Sequence, residues 1–222
     1  MHIEPGFVAP AKVMMANTAA VGLIAWGAKE QLKSLLREPW APLKTLAAAL
    51  FFSLFMESFH ANVGPSELHF VGAMAIYLTL GFVPTLLGFA LGLLLQGLTF
   101  NPTDLVHLGV NSLSLMLPLL AVHRFAGARL FDRGVGERIS LARILKLDAL
   151  YYAGVTGMVG FWLMIGETAT PFASWASFAL SYLAVVALEP VMTWAVINGL
   201  KSLESNPLVH RMTTIGQLTV AR

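Results

Sequence analysis

Long apolar runs separated by short polar stretches organise this chain from end to end. A bilayer core needs about 20 consecutive apolar residues per helix, and fewer where the helix is enclosed by protein. Residues 11–27 make the first run, interrupted only by Lys12 and Asn17, and residues 43–59 the second. Residues 70–100 are apolar throughout but carry Gly81 and Pro84 near the middle. That length exceeds one span, so it reads as two helices joined by a tight turn. Residues 105–122, 147–165 and 172–200 complete the set. The pattern predicts an all-α membrane protein, a bundle of seven transmembrane helices within one integral domain over residues 1–222.

The charges give the bundle a direction. With the N-terminus outside and the C-terminus inside, residues 28–44, the turn at 80–84, the loop 123–146 and the tail after Leu200 all face inward. Those segments hold every lysine and arginine of the chain except Lys12. The outer segments hold Glu4, Glu67, Asp104 and Glu167. This is the positive-inside distribution, which places the chain in a plasma (inner) membrane as a multi-pass protein. The basic 123–146 loop is read as an inner face rather than a nucleic-acid site. The N-terminus lacks a basic n-region and a cleavage site, so Met1 is expected to persist as the outer terminus.

Composition agrees. Hydrophobic residues make up 57% and charged residues 12%, with a mean hydropathy of +0.72. A soluble domain carries about 25% charged residues, so a soluble enzyme and a DNA-binding domain are both excluded. Cysteine is absent, which excludes disulfide scaffolds and thiolate metal sites. No GxxxxGK[ST] or other nucleotide motif is present, and no catalytic residues are assigned. The chain reads as a non-enzyme.

Histidine is then the best transition-metal ligand available. His123 and His210 fall on the basic inner side, where solvated surface roles are expected. His2, His60, His69 and His107 fall on or just below the outer side. A histidine at position 2 has a particular geometry: the terminal amine, its own amide nitrogen and its imidazole close two fused chelate rings on one cation. A nitrogen set of this kind favours square-planar Ni(II) or Cu(II), with one position left for a remote imidazole. The plainer alternative is a solvated terminus.

The segment from His60 to His69 contains Gly64-Pro65 and precedes an apolar run of only about 12 residues before Gly81, a helix of about 18 Å. Such a loop must dip below the membrane surface, where irregular backbone is tolerated only in protein or beside a cavity. His69, opening the short helix, would lie deep; the alternative is a capping or interfacial histidine. His107 and Asn111 are four residues apart and share a face, and Gln96 lies at a similar level. These read as cavity-lining groups or as interhelical hydrogen-bond partners. Of the two deeper carboxylates, both expected to face the interior, Glu57 reads as a supporting group near the site. Glu189, before Pro190, marks either a kink or a contact to a partner helix.

The opening Met1-His2-Ile3-Glu4-Pro5-Gly6 resembles the start of the CbiM/NikM family, the substrate-capture subunits of energy-coupling-factor cobalt and nickel transporters. Gly64-Pro65-Ser66-Glu67-Leu68-His69-x-x-Gly72 is similar to that family's loop ending in a ligand histidine. Gln96 and Leu108-Gly109-Val110-Asn111 resemble its Phe-Gln and Leu-Gly-Ala-Asn region. The resemblance implies that the amine of Met1, the amide and imidazole of His2 and the imidazole of His69 bind one Ni2+ or Co2+. It also implies a coupling membrane subunit and ATPase subunits as partners. His107 stands where the family usually has a small or hydroxyl residue, and Glu67 lies in the altered loop; both would shift metal preference toward Cu2+. Two other readings stand beside this one: an accessory membrane subunit that keeps the fold without transport, and a haem protein using the outer histidines.

Overall fold

Helices form wherever the apolar runs predict them. The structure, a computed structural model, describes residues 6–58, 60–63, 66–132 and 137–221. The chain is mostly helical. Its long helices are α1 (Pro10–Ser34), α2 (Ala41–Ser58), α3 (Ala73–Leu80), α4 (Phe82–Thr99), α5 (Leu108–Val122), α6 (Leu141–Met164) and α7 (Phe172–Ser202), followed by a short α8 (Pro207–Met212). Among the described residues, three helical stretches are long and apolar enough to cross a membrane: Phe82–Thr99, the run Pro102–Phe131 that contains α5, and Phe172–Ser202.

The long run over 70–100 breaks at Gly81, whose φ of +93 lies in the region that glycine alone enters freely. Pro84 does not cause the break. It sits in the first turn of α4, where its missing N–H has no intrahelical partner to lose. All eight residues of α3 are buried, as expected of a helix apolar all round and enclosed by its neighbours.

One expectation is corrected at the loop before α3. Instead of irregular backbone, it forms an antiparallel hairpin, β1 (His60–Val63) with β2 (Ser66–His69), in a register that sets His60 opposite His69 and Asn62 opposite Glu67. Recessed backbone needs internal hydrogen-bond partners, and a hairpin supplies them within ten residues of sequence. His69 therefore ends a strand and does not open a helix. The helix begins after Gly72, which has φ +65 and whose Cβ position would meet the Phe55 ring at 2.4 Å. Glycine is required there twice over.

At the opposite end the tail folds back onto the bundle. Thr214 donates from N to the Thr79 carbonyl and from Oγ1 to the Leu78 carbonyl, both at 2.8 Å, closing the C-terminus of α3. β3 (Arg138–Ile139) pairs in parallel with β4 (Thr219–Val220). Ser140 caps α6, accepting from Arg143 N at 3.2 Å, so that helix starts six residues before the apolar run. His123 is also corrected. It is half-buried, stacked on Phe82 at 4.0 Å and hydrogen-bonded through Nδ1 to the Tyr77 hydroxyl at 2.9 Å, rather than solvated.

Candidate metal centre

The hairpin, the C-terminal ends of α2 and α4, and the 3₁₀ turn Pro102–His107 converge at one end of the bundle. They enclose a polar cleft of about 190 Å³ lined by Glu57, His60, Glu67, His69, Gln96, Phe100, Asn101 and Asp104. Five of these, Glu57, His60, Glu67, His69 and Gln96, are residues the sequence singles out. Three carboxylates on a small concave surface produce a negative local potential, which concentrates cations. Asp104 and Asn101 were not singled out. Their one sequence signal is the Asn101-Pro102 break, which ends α4 and turns both back over the cleft.

His69 is the most enclosed of the imidazoles lining the cleft, 5% exposed. Its Nδ1 lies 3.3 Å from the Met56 carbonyl and its Nε2 lies 3.0 Å from Glu67 Oε2. With Nδ1–H donated to Met56, a neutral ring turns an Nε2 lone pair toward the cleft; a protonated ring pairs with Glu67 instead. Such a backbone acceptor behind a histidine fixes its tautomer and ring orientation, as for metal-ligating histidines in general. Register and burial thus hold one ring in place while its cross-strand partner stays exposed: the His60 and His69 centroids are 6.1 Å apart.

The remaining residues divide clearly. Gln96 is buried and donates through Nε2 to Glu57 Oε1 at 3.3 Å. Its Oε1 has no hydrogen-bond partner among the described residues. Glu57, expected to face the interior of the bundle, is instead exposed in the last turn of α2 and reaches the cleft from its rim. The physical reason is position: the helix ends one residue later. His107 and Asn111 are both 1% exposed, yet neither lines this cleft. Met1 and His2 lie outside the described residues. Among the described residues, no three His, Asp or Glu side chains gather into a group able to hold a metal ion.

The start of the described chain is tied to this same end. Phe7 accepts at its carbonyl from Glu167 N at 3.1 Å, and the Lys12 ammonium donates to the Ile165 carbonyl at the C-terminus of α6. Val8 is 4% exposed.

Comparison with known proteins adds three findings. Residues 2–207 match the CbiM family, described as a cobalt uptake substrate-specific transmembrane region. A crystal structure described as a transition metal transporter superposes with a TM-score of 0.72 at 19% identity, covering 95% of this chain and 97% of that one. A truncated transition metal transporter superposes with a TM-score of 0.71, also at 19% identity, covering 91% and 99%. At such identity the likeness speaks for the fold. No curated protein matches the sequence.

Proposed function

Because the chain belongs to the CbiM family of cobalt uptake substrate-specific transmembrane regions, we propose that it captures a divalent transition metal ion at the outer membrane surface for transport. The observation that carries this reading is His69: a buried imidazole, oriented by the Met56 carbonyl, opening on an acidic cleft. The proposed ligands are the amine of Met1, the amide and imidazole of His2, and His69 Nε2. Four nitrogens with one deprotonated amide select Ni2+ or Co2+ as cargo, with Cu2+ favoured further by affinity order. Since the described residues gather no complete metal group by themselves, a site completed by residues 1 and 2 accounts for the otherwise partial set at His69. Glu57, Glu67 and Asp104 draw the cation in without binding it in the final plane.

The chain is proposed to cross an inner membrane seven times as one domain, N-terminus outside. With no nucleotide motif, energy comes from a separate ATPase pair acting through a coupling membrane subunit, and residues 123–146 offer the basic inner face for that contact. The terminal-amine ligand has a direct test. Adding two residues before Met1 removes the chelate without touching the bundle, and nickel affinity measured by calorimetry should fall at least about 100-fold. Equal affinity in the extended and native chains would overturn the proposed ligand set.

A further inference from the structure

The end of the bundle opposite the metal centre carries a second polar cleft. After α5 the backbone widens into a π-helical turn, His123–Gly127, and then tightens into a 3₁₀ turn, Ala128–Phe131. Irregular turns of this kind recur at functional positions. The first turn of α6 packs against them. There the Arg143 guanidinium donates through Nη2 to the Ala126 carbonyl at 2.9 Å and to Glu137 Oε2 at 2.8 Å. These segments enclose a cleft of about 440 Å³ whose wall includes Arg124, Phe125, Arg129, Glu137 and Arg143. Sites that hold small organic ligands run from about 300 to 1,000 Å³.

Three guanidinium groups share this cleft with one carboxylate, so positive charge is in excess. Glu137 pairs with Arg143. Among the described residues neither Arg124 nor Arg129 forms an ion pair, and both are exposed. Arg143 Nε is buried and also lacks a hydrogen-bond partner among the described residues. Cations gathered on a concave wall attract anions, and the planar guanidinium fork matches phosphate oxygens. Water could solvate such arginines, but two neighbouring features favour a lipid. Phe125, on the same wall, is 83% exposed, and an aromatic ring in that setting belongs at a bilayer interface. Leu141 and Leu145 of α6, one turn apart, are 43% and 44% exposed, and Ala149 continues the same exposed stripe. The cleft thus opens where the lipid-facing flank of α6 begins, with charge at headgroup level and apolar side chains beside it.

We propose that this cleft binds the phosphate of one anionic phospholipid. Arg124 and Arg129 take the phosphate oxygens, Phe125 lies among the acyl chains, and Arg143, fixed by Glu137 and the Ala126 carbonyl, adds positive charge from the side. Basic pockets on the cytoplasmic side of membrane helices hold lipid headgroups through this chemistry. A lipid held there bridges the end of α5 and the start of α6. The proposal rests on the proposed N-outside orientation only for which leaflet supplies the lipid. It takes part of the basic face offered to a coupling subunit, so the lipid lies at the edge of that contact.

The test uses the purified full chain in an uncharged detergent, where orientation and metal loading play no part. Phosphatidylglycerol, phosphatidylcholine or inorganic phosphate is titrated in, and bound lipid is counted by native mass spectrometry. Phosphatidylglycerol should be retained saturably in preference to phosphatidylcholine, and millimolar inorganic phosphate should not displace it. Arg124→Gln and Arg129→Gln, both at exposed positions that leave the Arg143 contacts in place, should each weaken phosphatidylglycerol binding about fivefold. Lys146→Gln, at an exposed base outside the cleft wall, should leave it unchanged. Equal retention of the two lipids would overturn the proposal and leave the arginines to a protein partner. So would displacement by inorganic phosphate, which would make this a free-phosphate site. A loss in Lys146→Gln as large as in Arg129→Gln would equally overturn it, because the attraction would then belong to the whole basic face.

Discussion

At the scale of single residues, the imidazole of His69 carries the account. Backbone register fixes where it stands, the Met56 carbonyl fixes which nitrogen faces the cleft, and Glu67 competes for that nitrogen when the ring is protonated. The pH dependence has a definite sign. Metal binding requires neutral imidazole and a deprotonated amide, so protons and metal compete. Affinity for Ni2+ should fall as pH drops, by about tenfold per unit for each proton released, and calorimetry in buffers of different ionisation enthalpy should detect proton release on binding. A nickel affinity independent of pH from neutral to mildly acid would contradict nitrogen ligation. The position of His69 beside a polar cleft was legible in the sequence because it rests on local spacing; the chelate proposed at His2 lies outside the described residues. The hydrogen bond from the Tyr152 hydroxyl to Glu189 was not, because it joins two helices 37 positions apart.

Elements meet here at small residues. The N–H of Gly109 donates to Asn17 Oδ1 at 2.9 Å, and a Cβ at Gly109 would lie 2.5 Å from Asn17 Cα and 2.7 Å from its N. Backbone cannot move aside as a flexible side chain does, so α1 and α5 would have to separate. Gly109→Ala is expected to destabilise the bundle by about 1–3 kcal/mol. Gly157→Ala on α6, with nothing within 4 Å of its Cβ position, should be neutral or stabilising by up to about 1 kcal/mol. Thermal unfolding of the two variants in the same detergent checks the contrast; equal behaviour would mean that the close approach does not matter. The long helices themselves were readable from apolar runs, whose burial or lipid exposure leaves little alternative to α-structure. The hairpin was not. Its two strands are four residues each and read HANV and SELH, too short and too polar for an alternating pattern to show.

For the whole molecule, direction in the membrane is a proposal that rests on charge, while packing shows that the two ends of the bundle differ. The polar cleft lies at one end of the bundle, while the tail, β3 and the turn at Gly81 lie at the other. A cysteine-free chain makes this easy to check. A cysteine at the exposed Thr168 should react with an impermeant maleimide in intact cells, and one at the exposed Ser205 only after permeabilisation. The reverse pattern would invert the topology and with it the side from which metal arrives. The small parallel pair Arg138–Ile139 with Thr219–Val220 shows why this end was harder to foresee: it depends on contact between segments about eighty residues apart. All of this architecture serves one claim, that the outer end holds a transition metal through nitrogen ligands including His69. The most direct measurement is the metal content of the purified chain after exposure to excess nickel or cobalt and desalting, wild type beside His69→Ala. About one metal ion per chain is expected for the wild type, with a loss of nearly all of it in the variant; a His69→Ala protein that retains the same metal content would contradict ligation by His69.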